Sequence, residues 1–163
     1  MHSAMHLQYS TAKPEDAAEC ISLRARTRQN AISETQLRSI GITEENWAQA
    51  VRAGDALGHV CRCEGQLVGY CFGSRLSGEV TVLALLPEFE NLGIGKELLS
   101  KVMRELVAHG HARLFLACSA NPQSRSHGFY RHLGWRFTGT IDAHGDEVLE
   151  LQCLLHVQGG GAA

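Results

Sequence analysis

No apolar run in this sequence approaches the roughly 20 residues that a membrane-spanning helix needs. Excess charge of one sign is missing as well. Fifteen Lys and Arg stand against 17 Asp and Glu, a net charge of -2. That balance excludes bulk electrostatic attraction to nucleic acid or to an anionic membrane surface. The opening residues Met1 to Leu7 lack a basic stretch followed by an apolar core, so a secretory signal is not expected and cytoplasmic residence is. Metal-ligand spacing is also absent. Cys61-x-Cys63 is too tight for zinc. His109-x-His111, or His2 with His6, has no third ligand nearby, so no metal is expected. The six cysteines are expected to be reduced, small and mostly buried.

What is present is an ordinary globular composition in 163 residues, 44% hydrophobic and 20% charged. That length supports one domain, expected over 1–157, with a Gly/Ala tail at 158–163. A short strand is expected from Leu7 to Ala12, then a helix opened by Pro14 and running to about Asn30. Short helices follow at Ser33 to Ile40 and, capped by Thr43, up to Gly54. Leu57 to Cys63 and Gln66 to Ser74 form a hairpin around Glu64-Gly65. A strand from Glu79 to Leu86 leads into a helix from Gly93 to Ala108. On that helix Ile94, Leu98, Leu99, Val102 and Leu106 make one apolar stripe. A strand from Arg113 to Ser119, a helix from Ser124 to Leu133 and a hairpin of Trp135 to Ile141 with Glu147 to Leu155 complete the order. This is an α/β layout: a mixed, mostly antiparallel twisted sheet with a central parallel strand pair, flanked by helices.

The segment that carries chemistry runs from Leu83 to Lys96. A strand ends, a loop holds Gly93 and Gly95, and an amphipathic helix begins on them. Helix N-termini expose unpaired N–H groups and the positive end of the dipole. Glycines let the backbone approach an anion closely, so the loop reads as a phosphate or pyrophosphate cradle, with Lys96 adding charge. A dinucleotide fingerprint would need a third glycine where Leu98 stands. A Walker loop would need Ser or Thr where Glu97 stands.

Glu90-Asn91-Leu92-Gly93-Ile94-Gly95 resembles the signature loop of the GNAT superfamily of N-acetyltransferases, with Glu90 in place of the usual Gln or Arg. Asn121-Pro-Gln-Ser-Arg-Ser-His-Gly-Phe-Tyr-Arg-His-Leu-Gly-Trp135 resembles a later motif of that family. The resemblance implies direct transfer of the acetyl group of acetyl-CoA to a primary amine of a small molecule, peptide or protein. A CoA-binding module without catalysis is the alternative. It also implies site residues. Leu83 and Leu85 would meet the pantetheine arm, the Leu85 N–H facing the thioester carbonyl. Glu90, Asn91, Leu92, Gly93, Ile94, Gly95 and Lys96 would surround the pyrophosphate. Asn121, Ser124 and Tyr130 would complete the cofactor site, Tyr130 also acting as the acid for the thiolate. Glu79, or a water chain, would take the amine proton. A homodimer is compatible with the family. Acceptor selection would fall to Arg24 through Trp47, where Arg24 and Arg28 are expected to share a helical face.

Overall fold

The computed structural model describes residues 5–29 and 31–153. The expected tail at 158–163, the end of the last strand beyond Cys153, Asn30 and the His2–His6 pair lie wholly or partly outside those residues. All seven strands and five helices of the expected order are present. They are β1 (Leu7–Thr11), α1 (Ala17–Arg24), α2 (Glu34–Ser39), α3 (Glu44–Ala53), β2 (Ala56–Cys63) and β3 (Gln66–Ser74). Then come β4 (Val80–Leu85), α4 (Ile94–Ala108), β5 (Arg113–Cys118), α5 (Arg125–His132), β6 (Arg136–Ile141) and β7 (Glu147–Gln152).

Local chemistry sets most of these boundaries. Ser33 and Thr43 accept the N–H groups of Gln36 and Asn46, capping α2 and α3. Glu64 and Gly65 both take positive φ, 51° and 85°, as a tight two-residue hairpin turn requires. The five stripe residues of α4 are all buried, and α4 packs across β2, β3 and β4. Buried residues of α1 and the apolar side of α3 cover the opposite face. The central strand β3 is consequently buried from Leu67 to Gly73.

Two expectations change. The first helix ends at Arg24, not near Asn30. Its last turn tightens, with Ala25 N–H bonding Ser22 O at 3.3 Å and Arg26 N–H bonding Leu23 O at 2.8 Å. The Arg24 carbonyl then accepts the Ile32 N–H at 3.1 Å, so the chain has folded back instead of continuing. Arg28 therefore lies in a loop, and Arg24 and Arg28 do not share a helical face.

The second change concerns the sheet. The fold is mixed α/β with antiparallel strands, as expected. It divides into a four-stranded sheet, order β1-β2-β3-β4, and a three-stranded sheet, order β5-β7-β6, each antiparallel. The central parallel pair of β4 and β5 is reduced to a single bridge between Glu79 and Phe115. Beyond that bridge the two strands part, and the β4 edge facing β5 carries no strand partner among the described residues.

Candidate active site

The parting of β4 from β5 makes the site. A cleft of about 640 Å³ opens between Glu79–Leu83 on one side and Leu116–Ser119 on the other. A second cleft, about 330 Å³, runs from Leu83–Leu85 to the start of α4. Arg24, Leu83, Ser126 and Tyr130 border both, so the two clefts meet there.

The second cleft is built from backbone. Leu86 N–H bonds Val68 O at 2.9 Å, toward β3. Alternation along a strand turns the polar groups of Leu85, and of Leu83 two residues earlier, toward the unpaired edge. At the far end, Asn91 (φ 65°) and Gly93 (φ 83°) both adopt left-handed backbone. Asn is among the few side chains that tolerate this conformation. The turn aims the chain into α4 with no side chain capping the helix. Its first helical bond runs from Glu97 N–H to Gly93 O at 3.1 Å. The N–H groups of Ile94, Gly95 and Lys96 thus have no partner within the helix. Open space surrounds the Gly93 Cα, where an added Cβ would meet no atom within 4 Å. An uncapped helix N-terminus, a side-chain-free approach and an unpaired strand edge suit a long ligand with an anionic end and an amide-bearing arm.

The residues expected at the site divide into three groups. Leu83, Leu85, Glu90, Asn91, Gly93, Gly95, Lys96 and Tyr130 all line the second cleft. Glu79 lines the first, together with Tyr130. Four others stand outside both. Leu92 is exposed and Ile94 is buried in the core. Asn121 uses its side-chain oxygen to accept the Gln123 N–H at 2.9 Å, which shapes the turn before α5. Ser124 caps α5, accepting the His127 N–H and donating to Asn121 O at 2.9 Å.

Tyr130 is almost fully buried, with its ring edge-on to Phe129 and Trp135 at 5.0 and 6.0 Å. Burial pushes its phenol pKa well up, so it stays protonated. Burial also raises the Glu79 carboxyl above the usual carboxylate range, and the charge of Asp142 adds to the rise. Among the described residues no group of three or more His, Cys, Asp or Glu is placed to hold a metal. No helix among them is long and apolar enough to cross a membrane.

Residues 19–135 match the model of the acetyltransferase (GNAT) family. The chain belongs to that family. None of the curated proteins matches it significantly in sequence. Solved acetyltransferases share its fold. The PaiA N-acetyltransferase of Thermoplasma acidophilum, in complex with coenzyme A, superposes with TM-score 0.75 at 19% identity, covering 91% of this chain and 99% of that one. A phosphinothricin acetyltransferase of Sinorhizobium meliloti, in complex with AcCoA, gives 0.70 at 21%, covering 90% and 88%. The ribosomal-protein-S18-alanine N-acetyltransferase of Escherichia coli gives 0.66 at 18%, covering 94% and 98%.

This GNAT chain adds features that its motifs do not announce. Glu90 sits at the cradle paired with Arg28 at 2.9 Å and, more loosely, with Arg125 at 3.7 Å. Arg125 also donates to the Asn91 side chain at 3.2 Å. The two arginines come from a loop and from the start of α5, and only the fold brings them to Glu90. Asp142, His144 and Asp146, from the β6–β7 turn, join Glu79 on the first cleft. Their spacing resembles any polar turn, so nothing local marked them.

Proposed function

We propose that this chain transfers the acetyl group of acetyl-CoA directly to a primary amine. The observation that carries the reading is the meeting of the two clefts at Leu83 and Tyr130. One cleft suits an anionic donor with an extended arm, the other a cationic acceptor, and a buried phenol stands at the junction.

Acetyl-CoA would supply an acetyl carbon activated as a thioester. The N–H groups of Ile94, Gly95 and Lys96, with the Lys96 ammonium, bind the pyrophosphate. The free edge of β4 at Leu83 and Leu85 pairs with the pantetheine arm, and the Leu85 N–H donates to the thioester oxygen as it gains charge. Glu79 accepts the proton of the attacking amine. A raised carboxyl pKa brings it nearer the ammonium range, which makes it a better base than an exposed carboxylate. Tyr130 donates to the departing sulfur. Asn121 and Ser124 act indirectly, by building the turn and cap that seat Ser126 and Tyr130. Overall a C–N bond forms and a C–S bond breaks; of the two protons the ammonium loses, one ends on the thiol and the other leaves to solvent by way of Glu79.

Thiol release from acetyl-CoA tests the reading, measured with amines that include polyamines, amino acids, aminoglycosides and peptide N-termini. At least one amine should raise the rate well above hydrolysis and yield its N-acetyl product. Tight CoA binding with no acceleration by any amine would instead identify a CoA-binding module.

A further inference from the structure

A third cavity, about 410 Å³, lies between the α2–α3 region and the first sheet. That is room enough for a small-molecule group. Its walls are unlike those of the other two. Trp47 from α3 meets Tyr70 and Phe72 from β3 edge-on, with ring centroids 5.5–5.8 Å apart. Gly58, opposite Phe72 on β2, leaves room for that ring, since a Cβ there would come within 2.2 Å of it. Ile40 and Ile42 add apolar surface at the rim, 66% and 37% exposed. Among the described residues Arg24 is the one charged residue on these walls.

Two further observations point to a ligand. Tyr70 is fully buried, yet its hydroxyl has no hydrogen-bond partner among the described residues. A buried donor left unpaired is destabilising until something meets it. The cavity is also continuous with the acceptor side of the site. It shares Arg24, Ile32, Thr81 and Val82 with the cleft that holds Glu79, but shares Arg24 alone with the glycine-loop cleft. The Glu79 cleft carries Asp142 and Asp146 as well, three carboxylates against the single guanidinium of Arg24, a balance that favours a cationic group there. Aromatic walls beside an acidic cleft fit a molecule with a ring at one end and an ammonium at the other.

We propose that the acceptor is a primary amine joined by a short alkyl chain to an aromatic ring, the ring seated against Trp47, Tyr70 and Phe72 and the amine between Glu79 and Tyr130. This rests on the acetyltransferase reading of the same site and narrows its substrate class.

The experiment compares kcat/KM of the full chain, with acetyl-CoA, for 2-phenylethylamine, tryptamine, ethylamine and spermidine. Burying one ring should favour 2-phenylethylamine over ethylamine by on the order of 10²-fold. Ala50→Trp, which fills the cavity from α3, should cut that preference to below about 10-fold in a protein that still melts cooperatively. Equal rates for the ring-bearing and ringless amines, or a preference for spermidine, would overturn the assignment while leaving acetyl transfer intact. Faster transfer from octanoyl-CoA than from acetyl-CoA, lost in Ala50→Trp, would overturn it too, by giving the cavity to the acyl chain. Trp47 fluorescence, titrated with 2-phenylethylamine in the presence of CoA, reads the ring site without turnover. Saturable quenching absent with ethylamine supports the ring site even if no amine is acetylated, a result that would count only against transfer. No saturable quenching would remove the ring site.

Discussion

The glycine-loop cleft and the aromatic cavity face the same strand from different sides, and they are made in opposite ways. The first is backbone: helix N–H groups, an unpaired strand edge and a left-handed turn at Asn91 and Gly93. The second is side chain: three aromatic rings and three isoleucines drawn from distant parts of the chain. A backbone site tolerates many side chains but few conformations. A side-chain site keeps its backbone and changes its occupant. One fold can hold a constant donor while its acceptor varies, because the two halves depend on different parts of the polypeptide.

Breaking the backbone half should have the largest effect. Gly93→Val forces a β-branched residue into φ 83° and places its side chain where the cradle is open. CoA affinity should fall by at least about 10³-fold, through lost anion contacts and a left-handed penalty of roughly 1–2 kcal/mol. Calorimetric titration of the folded variant checks this; ordinary affinity would remove the cradle assignment. Gly95→Ala makes the sharper comparison, because its Cβ would meet Leu85, Phe129 and Leu83 only at ordinary contact distances of 3.4 to 3.8 Å.

Tyr130→Phe probes the junction, where only a hydroxyl is removed. Turnover should drop by on the order of 10²-fold with CoA affinity nearly unchanged. Equal losses in both would mean that the ring supports the cleft and does no proton work.

The smallest effect is a displacement along the pH axis. Glu79 must be ionised to act as base, and its pKa is raised by burial and by Asp142. The acid limb of kcat/KM should therefore fall above the pH of an unperturbed carboxylate, about 4.3. Asp142→Asn removes a like charge, which should move that limb to lower pH without abolishing it. Glu79→Gln should remove it. A limb unmoved by both substitutions would assign deprotonation to a water chain.

The two halves were also unequally legible in the sequence. The loop from Glu90 to Lys96 is contiguous, and each glycine has a local reason for its place, so the turn into an uncapped helix start could be read directly. Helix α4 announced itself through its stripe. The end of α1 did not, because it depends on the Arg24 carbonyl meeting Ile32 after a reversal that no cap or proline signals. The parting of β4 from β5 is a matter of register between strands nearly thirty residues apart, to which periodicity is blind. Tyr70 and Phe72 lay unmarked inside an expected strand and Trp47 at the end of the segment expected to select the acceptor, and only the sheet and α3 together make them one wall. Asn121 shows the converse: its motif position was recognisable, but that its side-chain oxygen accepts within its own turn was not.

The unpaired edge of β4 has a thermodynamic consequence. A row of backbone groups without strand partners is left inside the folded chain, a place where added pairing stabilises only the native state. Whatever binds along it raises the unfolding free energy by mass action, about 2.7 kcal/mol at 100 times its dissociation constant. For a domain of this size that is roughly 5–10 °C of melting temperature. The heat resistance of the protein should therefore track its supply of donor, and the empty form should be the first to unfold as that supply falls.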